Sequence, residues 1–278
     1  KYDLDYAKMS TVLDGEESPA LLTWSEADAH EFYETIRGGK RIRTAQVSVE
    51  EYRRIFTYYH KEGYDIVYIA CSSKQSGSVN TGAVVAKKML EKYPDGQIFC
   101  IDSLNASVGE GMLAIEAAKL AKEGKSAKEI TDKILDMRKN VREFVTVHTL
   151  EYLKKAGRVS ASAAFFGNML GIKPILVSDV NGAQAAFKKV KGRKNSIKEI
   201  VALLKGCITD AEKQTVYVVH SDASKEEVEM LTNLVKAEIP CKEVCVGTIG
   251  PIIGASVGPD CLGLFAFGEK ETFQAAEK

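Results

Sequence analysis

One tryptophan, four histidines and six prolines in 278 residues leave little from which to build several common kinds of protein. A zinc site would need a cluster of histidines and cysteines, and although Cys241 and Cys245 are four apart, no second cysteine pair or histidine cluster accompanies them. The chain has no net charge: 38 basic residues are balanced by 38 acidic ones, 20 against 22 up to residue 140 and 18 against 16 beyond it. Neither half carries the basic excess of a nucleic-acid binder, and no helix-turn-helix is recognisable. The uncharged apolar run at residues 161–172 is too short to span a bilayer, and the opening KYDLDYAK lacks the apolar stretch of a signal peptide. A cytoplasmic location without stable membrane insertion is expected. Six cysteines (Cys71, Cys100, Cys207, Cys241, Cys245 and Cys261) are scattered, several in apolar runs such as IFCI and EVCV, and read as core thiols and not as a disulfide framework.

What is present is an ordinary globular composition, 45% hydrophobic and 27% charged, on a chain about twice the usual domain length. Helix starts are legible. Ser48 with Glu51, Ser126 with Glu129, Ser196 with Glu199 and Ser224 with Glu227 have capping-box spacing, and apolar residues follow at helical intervals, as in Tyr52, Ile55, Phe56 and Tyr59. Between them lie short β-branched runs at 66–70, 98–101, 144–147, 175–177, 216–219, 244–246 and 262–267, which read as buried strands. Before residue 140 the alternation of helix and strand suits a parallel α/β sandwich. After it, residues 183–190 with Asn181-Gly182 as a hairpin turn imply a mixed, partly antiparallel sheet. Two α/β domains are expected, 1–140 and 141–278. The chain opens as if in the middle of an element, so an upstream strand and helix are expected to be missing from it.

In open α/β sheets ligands gather beyond the carboxyl ends of strands. Three loops have that position and a small, hydroxyl-rich composition suited to a carboxylate or phosphate: CSSKQSG (71–77), DSLNASVGEG (102–111) and HSDA (220–223). Turn-building alone explains Ser and Gly in any one of them. His220, Ser221 and Asp222 are consecutive and so cannot form one hydrogen-bonded line, and no GxSxG occurs. Gly124-Lys125-Ser126 follows a helix and has Lys where a P-loop has its first Gly; Gly109-Glu110-Gly111 lacks the third Gly of a dinucleotide fingerprint. Asp102 suits either a general base or a turn cap. The stretch FKKVKGRK (187–194), with five basic residues in eight, reads as a solvated hairpin end or as a docking surface for an acidic partner. ASAAFFGNMLGI (161–172) reads as a core helix or as a pocket wall through Phe165, Phe166, Met169 and Leu170.

Several segments, in order along nearly the whole chain, resemble the DegV family of bacterial fatty-acid-binding proteins: TAQVSVEEY (44–52), CSSKQSGSVNTG (71–82), IDSLNASVGEG (101–111), TLEYLKKAGRVS (149–160), GIKPIL (171–176), KVKGRKNS (189–196) and GTIGPIIGASVGPDCLG (247–263). The resemblance implies a two-domain carrier that encloses one long-chain fatty acid, needs no cofactor, performs no chemistry itself and presents the carboxylate to the ATP-binding subunit of a fatty acid kinase for acyl-phosphate formation. Carried over by position, Thr44 and Ser76, with the Gly77 amide, hold the headgroup, and Arg158 and Arg193 face the kinase. Many members read G-T-H-T-G-P near the C-terminus where this chain has GASVGP, which puts Ser256 at the histidine position. Members also open with a strand ending in an Asp-Ser turn, which is not seen here. The alternative reading is an α/β enzyme acting on a small carboxylate or phosphate through Asp102 or His220.

Overall fold

A computed structural model describes residues 2–161 and 170–275. The first sandwich is built on two parallel strands, β4 (Ile66–Ala70) and β5 (Ile98–Asp102). Their side chains alternate between two helical layers, as the pleat requires. Ile66 and Tyr68 pack with Tyr52, Phe56 and Met89 of α2 (Val49–Lys61) and α3 (Ser78–Lys92). Val67 and Ile69 pack with Leu113, Ile130 and Ile134 of α4 (Val108–Lys122) and α5 (Ala127–Met137). Ser126 and Glu129 form the expected reciprocal cap of α5.

The opening segment has structure the sequence reading did not contain. β1 (Ser10–Leu13) and β2 (Glu16–Pro19) form a hairpin, and β1 also pairs with β3 (Arg43–Ala45), with α1 (Glu26–Arg37) between. Helix α1 begins with a capping box between Ser25 and Asp28, and its Tyr33 hydroxyl donates to the Ile249 carbonyl at 2.7 Å.

The later strands form one six-stranded mixed sheet in the order β10-β9-β11-β6-β7-β8. They are β6 (Val141–Thr146), β7 (Ile172–Ser178), β8 (Gln184–Lys191), β9 (Thr215–His220), β10 (Glu243–Thr248) and β11 (Leu262–Phe267). Only β9 and β10 are parallel. One face, with Phe144, Ile175, Val218 and Leu264, is covered by α7 (Arg193–Lys205) and α8 (Lys225–Glu238). The other face, with Val145, Leu176, Val219 and Phe265, turns toward α6 (Glu151–Ala156), α9 (Pro251–Val257) and the loops of the first sandwich.

Three expectations need correction. Ser196 does not cap a helix: α7 begins three residues earlier with Gly192 as its cap, and Ser196 is buried, accepting from the Thr146 hydroxyl at 2.9 Å and donating to the Arg193 carbonyl at 2.8 Å. The run 244–246 is not a buried strand, because β10 has only one neighbour and lies at the sheet edge, leaving Val246 45% exposed. For the same reason Cys245 is an exposed thiol, whereas Cys261 is fully buried.

The β7–β8 hairpin tip is docked into the first sandwich. The Gln75 side-chain amide donates to the Gly182 carbonyl at 3.3 Å, and Gly182 has φ +79° with its Cα packed against the Ser72 hydroxyl and the Leu104 backbone. A Cβ there would lie 2.8 Å from Leu104 Cα. Gly182→Ala should therefore destabilise the protein by about 2 kcal/mol, from left-handed strain and crowding together. A denaturant titration checks this, and an unchanged midpoint would show that the tip is not held.

Candidate functional site

Between the open face of the large sheet and the loops of the first sandwich lies a cavity of about 230 Å³. Its rim is polar and comes from four elements. Thr44 sits on β3, opposite Thr11 of β1. Ser76 and Gly77 end the loop that runs from β4 to the start of α3, Ser107 opens α4, and Ser256 is carried by α9. All four residues expected to hold a headgroup, Thr44, Ser76, Gly77 and Ser256, thus line one cavity. The remaining lining is mostly apolar, with Val145, Leu176, Val219, Ile253, Val257 and Phe265, but includes Glu143 and Gln184. A concave site with an apolar body and a few convergent polar groups is the usual form of a small-molecule pocket.

The local chemistry explains the loop. The Ser76 amide donates to the Ser72 carbonyl at 2.9 Å, which closes the turn, and the Ser76 hydroxyl accepts from the Ser78 amide at 3.2 Å while donating to the Ser78 hydroxyl at 2.9 Å. At Gly77 the Gln46 side-chain carbonyl occupies the space a Cβ would take, and Gln46 donates to the Thr81 hydroxyl at 3.0 Å. The start of α3 lies just beyond Gly77, and the partial positive charge of a helix N-terminus favours an anion.

Arg158 lies at the same rim. Its side chain is exposed, with Nε donating to the Gln75 carbonyl at 3.1 Å and one terminal nitrogen to the Ala156 carbonyl at 2.6 Å. Among the described lining residues it is the sole cation, so it complements a carboxylate as well as a docking partner. Arg193 is placed differently and corrects the expectation of a free surface charge. Only 11% of its side chain is exposed; it pairs with both oxygens of Glu227 at 2.9 and 3.1 Å and donates to the carbonyls of Thr146 and Asp260. It is a clamp between α7, α8 and the sheet.

Two acidic residues near the cavity were not singled out by sequence reasoning for any role. Glu143 on β6 is 6% exposed and lines the cavity; burial pushes its carboxyl up to about 7, against the pull of hydrogen bonds from Ser178 and Gln184. Glu110, in the first turn of α4, is pushed by burial up to about 8 although the Cys71 amide donates to it. Both carboxyls also lie close enough to help raise the Cys71 thiol, which lines the cavity, though its own burial is the larger cause. No residue pattern could have flagged them, since a lone Glu in a strand and another in a helix's first turn are commonplace.

Of the suggested pocket wall, Phe165, Phe166 and Met169 lie outside the described residues, and Leu170 is exposed and not among the lining residues. Asp102 caps its own turn, accepting from the Leu104 amide at 2.9 Å and the Ser73 amide at 3.3 Å. The Ser221 hydroxyl is spent on the Gly258 carbonyl and the Cys261 amide, and Asp222 pairs with Arg37 at 2.5 Å and His30 at 2.9 Å. Neither Asp102 nor His220 lines the cavity. His30, Glu34 and Asp222 come close enough together to hold a cation, but the Arg37 guanidinium already pairs with both acids. No helix among the described residues is long and apolar enough to cross a membrane.

Comparison with known proteins follows the same lines. Residues 1–269 match the family model described as "Uncharacterised protein, DegV family". A DegV domain-containing protein of Clostridium perfringens is 35% identical over 245 residues, covering 88% of this chain and 84% of that one. A solved DegV lipid binding protein from Thermotoga maritima has a TM-score of 0.83 at 26% identity, covering 98% of this chain and 93% of its own. A DegV family protein from Thermus thermophilus, described for its fatty acid binding, gives 0.83 at 25% identity over 94% and 91% of the two chains.

Proposed function

Because this chain belongs to the DegV family, we propose that it is a carrier for one long-chain fatty acid, with the carboxylate at the polar rim and the acyl chain along the apolar wall. The observation that carries this reading is the convergence of Thr44, Ser76, Gly77 and Ser256, from three separate elements, on one cavity whose remaining lining is largely apolar. The Thr44 hydroxyl donates to the carboxylate, the Ser76 hydroxyl does so by turning from Ser78, the Gly77 amide adds to it, and Arg158 supplies countercharge. Ser256 offers a hydroxyl where many relatives have an imidazole, so the headgroup here is held without a titrating base. The carrier does no chemistry of its own in this reading, which is supported by the engagement of Asp102 and Ser221 in turns. It delivers the acid to an ATP-binding kinase subunit that forms the acyl phosphate, and Arg158, next to the headgroup and exposed, is the docking residue.

Burial of some fourteen methylenes at about 0.8 kcal/mol each makes the tail dominate affinity, while each hydroxyl on the carboxylate adds about 1.5–3 kcal/mol. Mass spectrometry of a solvent extract of the purified protein should find about one fatty acid per chain. Thr44→Val should weaken rebinding of that acid by about 10- to 150-fold, with a much smaller effect on the corresponding methyl ester. Ser76→Ala should do the same and also cost about 1 kcal/mol of stability, because it removes the acceptor for the Ser78 amide at the start of α3. Wild-type affinity in both variants would put the headgroup elsewhere.

A further inference from the structure

Where the large sheet lines the cavity it is apolar except for one row. In the antiparallel register of β6 and β7, Val145 faces Leu176, which sets Glu143 opposite Ser178 two residues on; in that of β7 and β8, Ser178 faces Gln184. The Ser178 hydroxyl donates to Glu143 at 2.6 Å, and the Gln184 side-chain amide lies beside the same carboxyl. All three side chains are at least nine-tenths buried, and Glu143 and Gln184 line the cavity. The adjoining row, Val145, Leu176 and Ala186, is wholly apolar and also buried, and Phe265 flanks Glu143 on the other side.

A plain alkyl chain would use none of this. Covering a carboxyl and an amide with methylenes removes them from water without new partners, and a valine or leucine at either position would serve such a chain better. The row's capacity is not exhausted by its internal bonds. A carboxyl accepts more than two hydrogen bonds and, when protonated, donates one; Gln184 keeps its carbonyl as an acceptor after its amide is used. Burial holds the protonated form of Glu143 in substantial population near neutrality.

We propose that the cavity is matched to an acyl chain bearing an oxygen along its length, a hydroxy or keto fatty acid, and that Glu143 and Gln184 recognise that oxygen. This rests on the fatty-acid reading of the site and narrows its ligand class. Discrimination arises because a hydroxyl completes hydrogen bonds that an unsubstituted chain leaves unmade.

The test is a calorimetric comparison, on delipidated protein, of octadecanoic acid with a panel of octadecanoic acids each hydroxylated at a single chain position. At least one hydroxylated acid should bind about tenfold tighter than the parent acid. In the Glu143→Leu/Ser178→Ala double variant, which removes both members of that bonded pair together, the parent acid should bind at least as well as in wild type and the preference should vanish. Gln184→Met, a milder change at the sheet edge, should reduce the preference severalfold should the double variant not fold. Equal binding of the parent and every hydroxylated acid by wild type, or a preference that survives Gln184→Met and the double variant, overturns the assignment while leaving the fatty-acid reading intact. Failure of every acid to bind would overturn both.

Discussion

Arg193→Glu is expected to lower the thermal unfolding midpoint by roughly 6–10 °C, from a loss of about 3 kcal/mol. The guanidinium joins the start of α7 to Glu227 at the start of α8, to the end of β6 through the Thr146 carbonyl and to the turn before β11 through the Asp260 carbonyl. Reversing its charge leaves those carbonyls without a donor and sets two carboxylates against each other in a largely closed site. Arg158→Glu is the control. Its side chain is exposed, so the midpoint should stay within about 1–2 °C, whereas fatty-acid affinity or kinase coupling should fall. Differential scanning fluorimetry of the two variants decides the matter, and equal midpoints would mean that Arg193 is not a clamp.

Stability should also fall as pH rises through neutrality. Glu143 and Glu110 are held near 7 and 8 in the folded chain, against 4.5 for an ordinary glutamate. Between those values the folded state binds protons that the unfolded state has lost. The stabilisation is therefore complete below about pH 4.5 and disappears as pH climbs through 7 and 8. From about pH 6.5 to 8.5 the two carboxyls together remove about 3 kcal/mol. His148 and His220, both lowered by burial, act with the opposite sign, but mainly below that window; the raised cysteines and tyrosines act above it. Replacing both acids, Glu110→Gln with Glu143→Gln, should flatten a series of urea midpoints across the window. A wild-type profile already flat would contradict the burial of these groups.

The strands were readable because continuous β-branched runs stood between polar turns: β4 and β11 lie at the expected residues, and most of the others extend them by one to three. The opening segment went unread for reasons that differ by element. Strand β2, EESP, is exposed along its whole length and has no apolar pattern to detect. Helix α1 did carry a signal, Ser25 with Asp28 followed by Ala29, Phe32, Tyr33 and Ile36 at helical spacing, but with an Asp in the place usually given to Glu or Gln. Asp14-Gly15 between STVL and EESP, with both residues at positive φ, is a two-residue hairpin turn, whereas Asn181-Gly182 lies in a five-residue one. In the site, Ser76 and Gly77 fell in one of the three loops read from the strand ends, whereas Thr44 and Ser256 were accessible through family resemblance alone; the four are separated by up to 212 positions and converge only in three dimensions. The polar row of Glu143, Ser178 and Gln184 depends on the register of three strands, which hydrophobic periodicity does not determine across a five-residue turn. Arg158 and Arg193 show the same limit in charge: both lie in basic stretches, and only packing makes one a surface residue and the other a clamp.

The cavity wall is shared between β3, the loop after β4, the start of α4, α9 and the open face of the large sheet, so any occupant touches them all at once. Such an occupant acts as mortar. A ligand that binds only the folded form at a thousandfold excess over its dissociation constant adds about 4 kcal/mol to stability. Cargo status would then be written into the lifetime of the molecule: a loaded chain resists heat and proteases, while an emptied one exposes the loops of its rim and is the first to be cleared.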